Sequence, residues 1–182
     1  MDDLGLLIIR LVVGTLVAGH GAQKLFGWFG GGGLLGTTAF LTSVGLRPAR
    51  FWAIVAGITE LGSGTLTLLG LLYPLAPVGI LAAMTVAIAT VHWGKPIWAD
   101  QGGAELPLTN AAVAAALILT GPGGYALDQD LGSGLLQWAA FVTVPALAVS
   151  ALGVAIALLT RGGSPSAGAR ETWSSSAAQR SA

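Results

Sequence analysis

The sequence predicts an all-α, polytopic membrane protein: a four-helix bundle core followed by a fifth transmembrane helix at the carboxyl end. Three observations predict it. Of 182 residues, 54% are apolar and only 9% charged, where a soluble domain carries about a quarter charged residues. Mean hydropathy is +0.78. Apolar stretches near the ~20 residues of a bilayer crossing recur between short connections rich in glycine and proline.

The first span is Leu4–Phe26. The start Met1-Asp2-Asp3 is acidic, Arg10 interrupts the apolar run, and no small-x-small cleavage pattern follows. The segment therefore reads as a retained helix rather than a removed leader. Leu34–Val44 has about half the length of a span and reads as an interfacial or re-entrant segment. The second span, Phe51–Leu72, and the third, Leu75–Trp93, meet at Tyr73-Pro74, where proline stops one helix and a tight hairpin starts the next. The fourth, Leu106–Thr120, is short. The fifth, Leu135–Thr160, is apolar all round apart from Thr143 and Ser150, as a peripheral helix would be. From Arg161 onward Ser, Gly, Ala and Arg dominate, the composition of a disordered tail. The expected division is a core over 1–134, an added helix over 135–160 and a tail over 161–182.

Eight basic and eight acidic residues leave no net charge, and with no basic run a nucleic-acid partner is not expected. The bilayer is the expected surrounding, with a redox subunit or a second copy of the chain as candidate protein partners. The absence of cysteine excludes disulfides, thiolate metal sites and a dithiol relay. No haem or flavin motif is present either, so a redox role needs a diffusible ligand or a partner subunit.

Polar residues inside apolar helices are costly and point to use. His20 and Lys24 lie one turn apart where the first span runs into Phe26-Gly27-Trp28-Phe29 and four glycines. Arg10, Gly14, Gly21 and Lys24 share a face that is both polar and small. Glu60 sits in the middle of the second span, among Ala53, Ala56, Gly57, Ser63, Gly64 and Thr67. Small residues let backbones approach closely in a bilayer, so Glu60 is expected to face protein. With alternating spans, His20, Gln23, Lys24, His92, Lys95, Glu105 and Asn110 fall at one face, with Glu60 deeper.

Each residue also has a structural reading. His92 fits an interfacial histidine, Lys24 can snorkel to headgroups, and Glu60 fits a helix-locking ion pair. Arg10 can pair with Glu60 or reach the outer interface. Asp128 and Asp130 read as solvated loop charges. Gly30–Gly33 lacks the strand-helix setting of a phosphate loop. No His or carboxylate pair has a diagnostic ligand spacing, so no metal is expected.

Three passages resemble the DoxX family of small bacterial membrane proteins. They are Arg10 with His20-Gly-Ala-Gln-Lys-Leu-Phe-Gly-Trp-Phe-Gly, the Glu60-Leu-Gly-Ser-Gly helix with its proline hairpin, and Glu105-Leu-Pro-Leu through to Asp128. The resemblance implies a four-helix membrane core in a bacterial plasma membrane. It also implies kinship with proteins some of which serve oxidoreductase systems, including quinone-coupled oxidation of thiosulfate. The acidic amino terminus and the fifth segment depart from the family pattern. The expected function is service to a membrane redox or respiratory system. A quinone-like or small anionic ligand would bind at His20, Lys24, Glu60, His92 and Asn110, with Arg10, Gln23 and Glu105 as structural polar groups. Enzymatic activity would then belong to a quinone-linked oxidoreductase acting with a partner. The alternative is a non-catalytic membrane scaffold that recruits proteins. A transporter would show inverted repeats or broken helices, and no convincing repeat appears.

With five spans, Lys24, Arg47, Arg50, Lys95, Arg161, Arg170 and Arg180 lie at one face and only Arg10 towards the other. The positive-inside rule then places the amino terminus outside and the carboxyl terminus in the cytoplasm. Reporter fusions after Pro165 are expected to read as cytoplasmic, and those within Gly123–Ser133 as external. Opposite localisation of both reverses the orientation, and localisation on one side removes the fifth span.

Overall fold

The computed structural model describes residues 2–129, 148, 151–156 and 158–159. Of the expected fifth span, the described residues are helical. The rest of that span, Asp130 and the tail lie outside the described residues.

α1 (Asp2–Phe26) carries Asp2 and Asp3 in its first turn and Lys24 in its last, charges that complement the helix dipole at both ends. It stops at Gly27, whose φ of 76° suits glycine. A 3-10 turn, Trp28–Gly30, leads into α2 (Gly33–Ser43), the short segment expected between the first two spans. α3 (Ala49–Leu69) follows Pro48 and ends at Gly70 in a left-handed conformation with φ 68°. There Leu71 N–H donates to Leu66 O at 2.9 Å and Gly70 N–H to Thr67 O at 3.1 Å, the paired bonds that close a helix on glycine.

α4 (Leu75–Ala87) begins after the Tyr73-Pro74 hairpin and continues as a π-helical turn, Ile88–His92. A connection with a 3-10 turn at Ala99–Gln101 leads to α5 (Glu105–Thr120), and another such turn, Leu127–Gln129, follows it. Asp2–Phe26, Ala49–Leu69 and Leu75–His92 are long and apolar enough to cross a membrane, while α5 is shorter.

α1 packs principally on α3, which packs on α4, which packs on α5. Val13 and Val17 of α1, Ile80 and Met84 of α4, and Ala111 and Ala114 of α5 form the central apolar cluster. Leu41, Leu46 and Ala53 form a second one beneath α2. Leu4, Ile8, Leu11, Val12 and Leu16 stay exposed along the outer side of α1, a surface suited to lipid. The chain alternates direction, so the start of α1 meets the segment after α5: Gly124 N–H donates to Asp3 Oδ1 at 2.6 Å. The opposite end gathers the ends of α1 and α4 and the starts of α3 and α5.

The α1–α3 contact is backbone against backbone. A Cβ at Gly14 would lie 2.7 Å from Leu68 N and 2.8 Å from Gly64 O. Gly21 lies as close to Leu61, and Gly64 to Ala18. Gly14→Ala and Gly21→Ala are each expected to cost about 1–3 kcal/mol through overpacking, measured as loss of thermal stability in detergent. Gly19→Ala, where a Cβ meets nothing within 4 Å, is the control and is expected to leave stability unchanged or raised. Equal behaviour of all three would contradict the close approach.

Candidate functional site

The same contact sets α1 and α3 in the register that joins Lys24 to Glu60. Lys24 Nζ bonds Glu60 Oε2 as an ion pair between the two helices. Glu60 is 4% exposed, and the Lys24 side chain remains about one third exposed, at 32%. Lys24 therefore turns inward to a carboxylate instead of snorkelling. Leu25 fills the space over Gly57 beside this pair. Thr37 of α2 donates to Lys24 O at 3.2 Å and ties the short helix to the end of α1.

His20 takes another direction. It is exposed, and its Nδ1 lies 3.0 Å from Gln23 Oε1. Gln23 in turn donates from Nε2 to Phe29 O at 3.3 Å. With the amide nitrogen engaged at Phe29, the amide oxygen faces histidine, and a His20 that donates to it from Nδ1 leaves Nε2 free for another partner. His20 and Gln23 line a groove of about 460 Å³ together with Leu16, Trp28, Phe29 and Leu61. The groove has apolar and aromatic walls with few polar groups.

The other expected site residues lie elsewhere. His92 Nδ1 lies 2.8 Å from Gly102 O, and Glu105 Oε2 accepts from Ala99 N–H at 2.9 Å. Both therefore hold the connection between α4 and α5 in shape. Asn110 Nδ2 contacts Met84 Sδ at 4.0 Å. The structure thus joins Lys24 to Glu60 and His20 to Gln23, while His92, Glu105 and Asn110 make their contacts between α4 and α5. Among the described residues, no three His, Asp or Glu side chains gather as a metal ion would need.

Arg10 follows neither course open to it in the sequence. It is 2% exposed, does not reach Glu60, and donates from Nη2 to Tyr125 O at 2.9 Å. Its Nη1 lies against Gly70, where any Cβ would collide with it. The guanidinium thus sits at the carbonyl end of α3, where the helix dipole offsets its charge. Asp128, read as a solvated loop charge, is instead structural. Its Oδ2 accepts from Tyr73 N–H at 2.8 Å and its own N–H donates to Gly70 O at 3.1 Å. Nothing local in the sequence marks this role, because the partners are more than 50 residues away along the chain.

Comparison with known proteins agrees with this architecture. Residues 5–93 match the DoxX family. The chain is 34% identical over 134 residues to the Bacillus subtilis protein named "Putative oxidoreductase CatD", covering 72% of this chain and 90% of that one. The chain belongs to the DoxX family. A second relative, the Mycobacterium tuberculosis protein named "Uncharacterized membrane protein Rv3486", is 32% identical over 133 residues, 68% of this chain and 78% of the relative. No solved structure matches. The DoxX match ends at Trp93, so it takes in Arg10, His20, Lys24, Glu60 and His92 but not the α5 side of the bundle.

Glu60→Leu in this DoxX protein leaves Lys24 without its partner. Because Lys24 is partly exposed, the cost is expected near 1–3 kcal/mol rather than that of a fully buried charge. Glu60→Gln is expected to be milder, since an amide still accepts a hydrogen bond. Adding Lys24→Met to Glu60→Leu is expected to recover part of the loss. Additive losses in thermal unfolding would show that the two groups are not coupled.

Proposed function

We propose that this DoxX protein is the membrane-embedded, quinone-binding component of a redox system, and that the quinone ring lies in the groove beside His20. The observation that carries this reading is the groove's composition: apolar and aromatic walls at Trp28, Phe29, Leu16 and Leu61, with His20 and Gln23 as adjoining polar groups. A quinone has the same division, a flat apolar ring with oxygen atoms at two ends. Gln23 Oε1 faces His20 Nδ1, and with the ring donating there, Nε2 accepts a hydrogen bond from the hydroxyl of a reduced quinone. After taking that proton, the imidazolium donates to the oxidised carbonyl. His20 would thus hold one of the two protons of the reduced quinone, the other passing to water from the second hydroxyl, while both electrons pass to a partner subunit, since this chain has no cysteine with which to hold them. The relative named as an oxidoreductase supports a redox setting. A small anionic ligand is the other chemistry that a protonated His20 would suit.

A second reading has its own support. Lys24, Arg10 and Asp128 all make contacts that hold helices together, as they would in a non-catalytic assembly subunit. Purification of the full chain in mild detergent, with mass spectrometry of extracted small molecules and of bound proteins, separates the two. About one quinone per chain is expected, lost in His20→Ala and reduced in Trp28→Ala, with both variants still inserted in the membrane. A stable protein partner with no quinone would replace this proposal with the assembly reading.

A further inference from the structure

Most hydroxyls inside these helices follow one rule. Thr65, Thr85, Thr90 and Thr120 each donate to the carbonyl four residues back, at 2.7–2.9 Å. That is the default partner for a threonine in an apolar helix. Ser63 and Thr67 of α3 break the rule. Both are buried, at 7% and 3% exposure, and neither hydroxyl has a hydrogen-bond partner among the described residues. Arg10 Nε and Nη1 and Asp128 Oδ1 are likewise buried and unpartnered. A buried polar group without a partner is expensive, and such groups in native proteins are normally met by bound water.

These groups are aligned. Glu60, Ser63 and Thr67 follow one another at three- and four-residue spacing along a single stripe of α3, and Gly70 with Arg10 against it stands three residues further on. Asp128 hangs on Gly70 through its backbone N–H. Ser63 and Thr67 are ~6 Å apart along the helix, about the span that one water covers with two hydrogen bonds of ~2.8 Å. From Glu60 to Gly70 the stripe runs ~15 Å, about half the hydrocarbon thickness of a bilayer. At its inner end the Glu60–Lys24 pair opens outward through the partly exposed Lys24 side chain.

We propose that this stripe holds a single file of waters, and that the file carries protons between Asp128 and Glu60. A proton taken up at the Asp128 carboxylate passes to the first water. Each water and hydroxyl then accepts one proton and releases another, and the last protonates Glu60. One proton moves, and every O–H bond broken is replaced by another. Arg10 and Asp128 meet the same Gly70 at the entrance, one through Nη1 and the other through its backbone N–H. At the other end Lys24, paired with Glu60 and still partly exposed, marks where the proton leaves toward the basic face. α4 covers the stripe at Ser63, where Gly79 packs against the Ser63 Cβ. This inference is independent of the ligand in the His20 groove, because proton movement along the file needs no quinone.

The test is proton flux into vesicles. The full-length protein is reconstituted with a pH-sensitive dye inside, and a potassium diffusion potential drives protons inward. Wild-type vesicles are expected to acidify faster than empty ones. The Ser63→Ala/Thr67→Val double variant is expected to slow the flux at least about tenfold, a rise of ~1.4 kcal/mol in the barrier. Thr67→Ser, which keeps a hydroxyl, is expected to retain the flux. Thermal stability supplies a second readout. In a dry interior, removing unpartnered hydroxyls raises stability, whereas in a hydrated one it leaves waters without partners and lowers it. Wild-type flux no greater than that of empty vesicles overturns the proposal. So does undiminished flux in the double variant, or a double variant more stable than wild type.

Discussion

The approach of α1 and α3 at glycine is the constraint on which the rest of this structure depends. Gly14, Gly21, Gly57 and Gly64 let two helices meet backbone to backbone, as close packing in a bilayer favours where no hydrophobic force separates protein from lipid. The contact fixes rotation and register together. With register fixed, Lys24 reaches Glu60 at one end and Arg10 reaches Gly70 at the other. A larger residue at Gly14 or Gly21 would move both pairs, because each depends on the same axis separation.

The two cations of α1 are accommodated differently, as their chemistry requires. Lysine is a compact point charge on a flexible stem, and it is matched by one carboxylate, with part of its side chain left exposed. Arginine is planar with several donors. It is buried whole against a helix carbonyl end and the Tyr125 carbonyl, without an ion pair of its own among the described residues. Neither arrangement leaves an isolated charge in the bilayer. Together they also divide the polar interior from the groove: Lys24 and Glu60 serve the α3 side of α1, and His20 with Gln23 serves the outer side. The ligand chemistry proposed for the groove and the proton file proposed along α3 therefore share two helices, α1 and α3, but no side chain.

Much of the fold was legible because it rests on local properties. Helix lengths, the short segment before α3 and the proline hairpin follow from apolar run length and from residues that cannot continue a helix. The small-residue face around Glu60 was legible as a buried one, since glycine, alanine and serine at helical spacing have little use towards lipid. The site was less legible. A four-residue spacing places His20 and Lys24 on one side of α1, yet the α3 contact passes between them. Lys24 falls on its inner edge and His20 on its outer edge, so two neighbours in sequence serve different surroundings. Shared depth likewise brought His92, Glu105 and Asn110 to the correct end of the bundle without saying which helices they would face.

The sequence by itself determined that this is a helical membrane protein with polar groups held inside its helices, because hydropathy and helix periodicity act within one segment. Tertiary structure decided which groups meet. Asp128 caps the Tyr73 hairpin, Arg10 ends at Tyr125 and Gly70, and Lys24 joins Glu60. None of these pairings has a local cause. Each depends on the rotation of one helix against another, and that rotation is set by where backbones can touch.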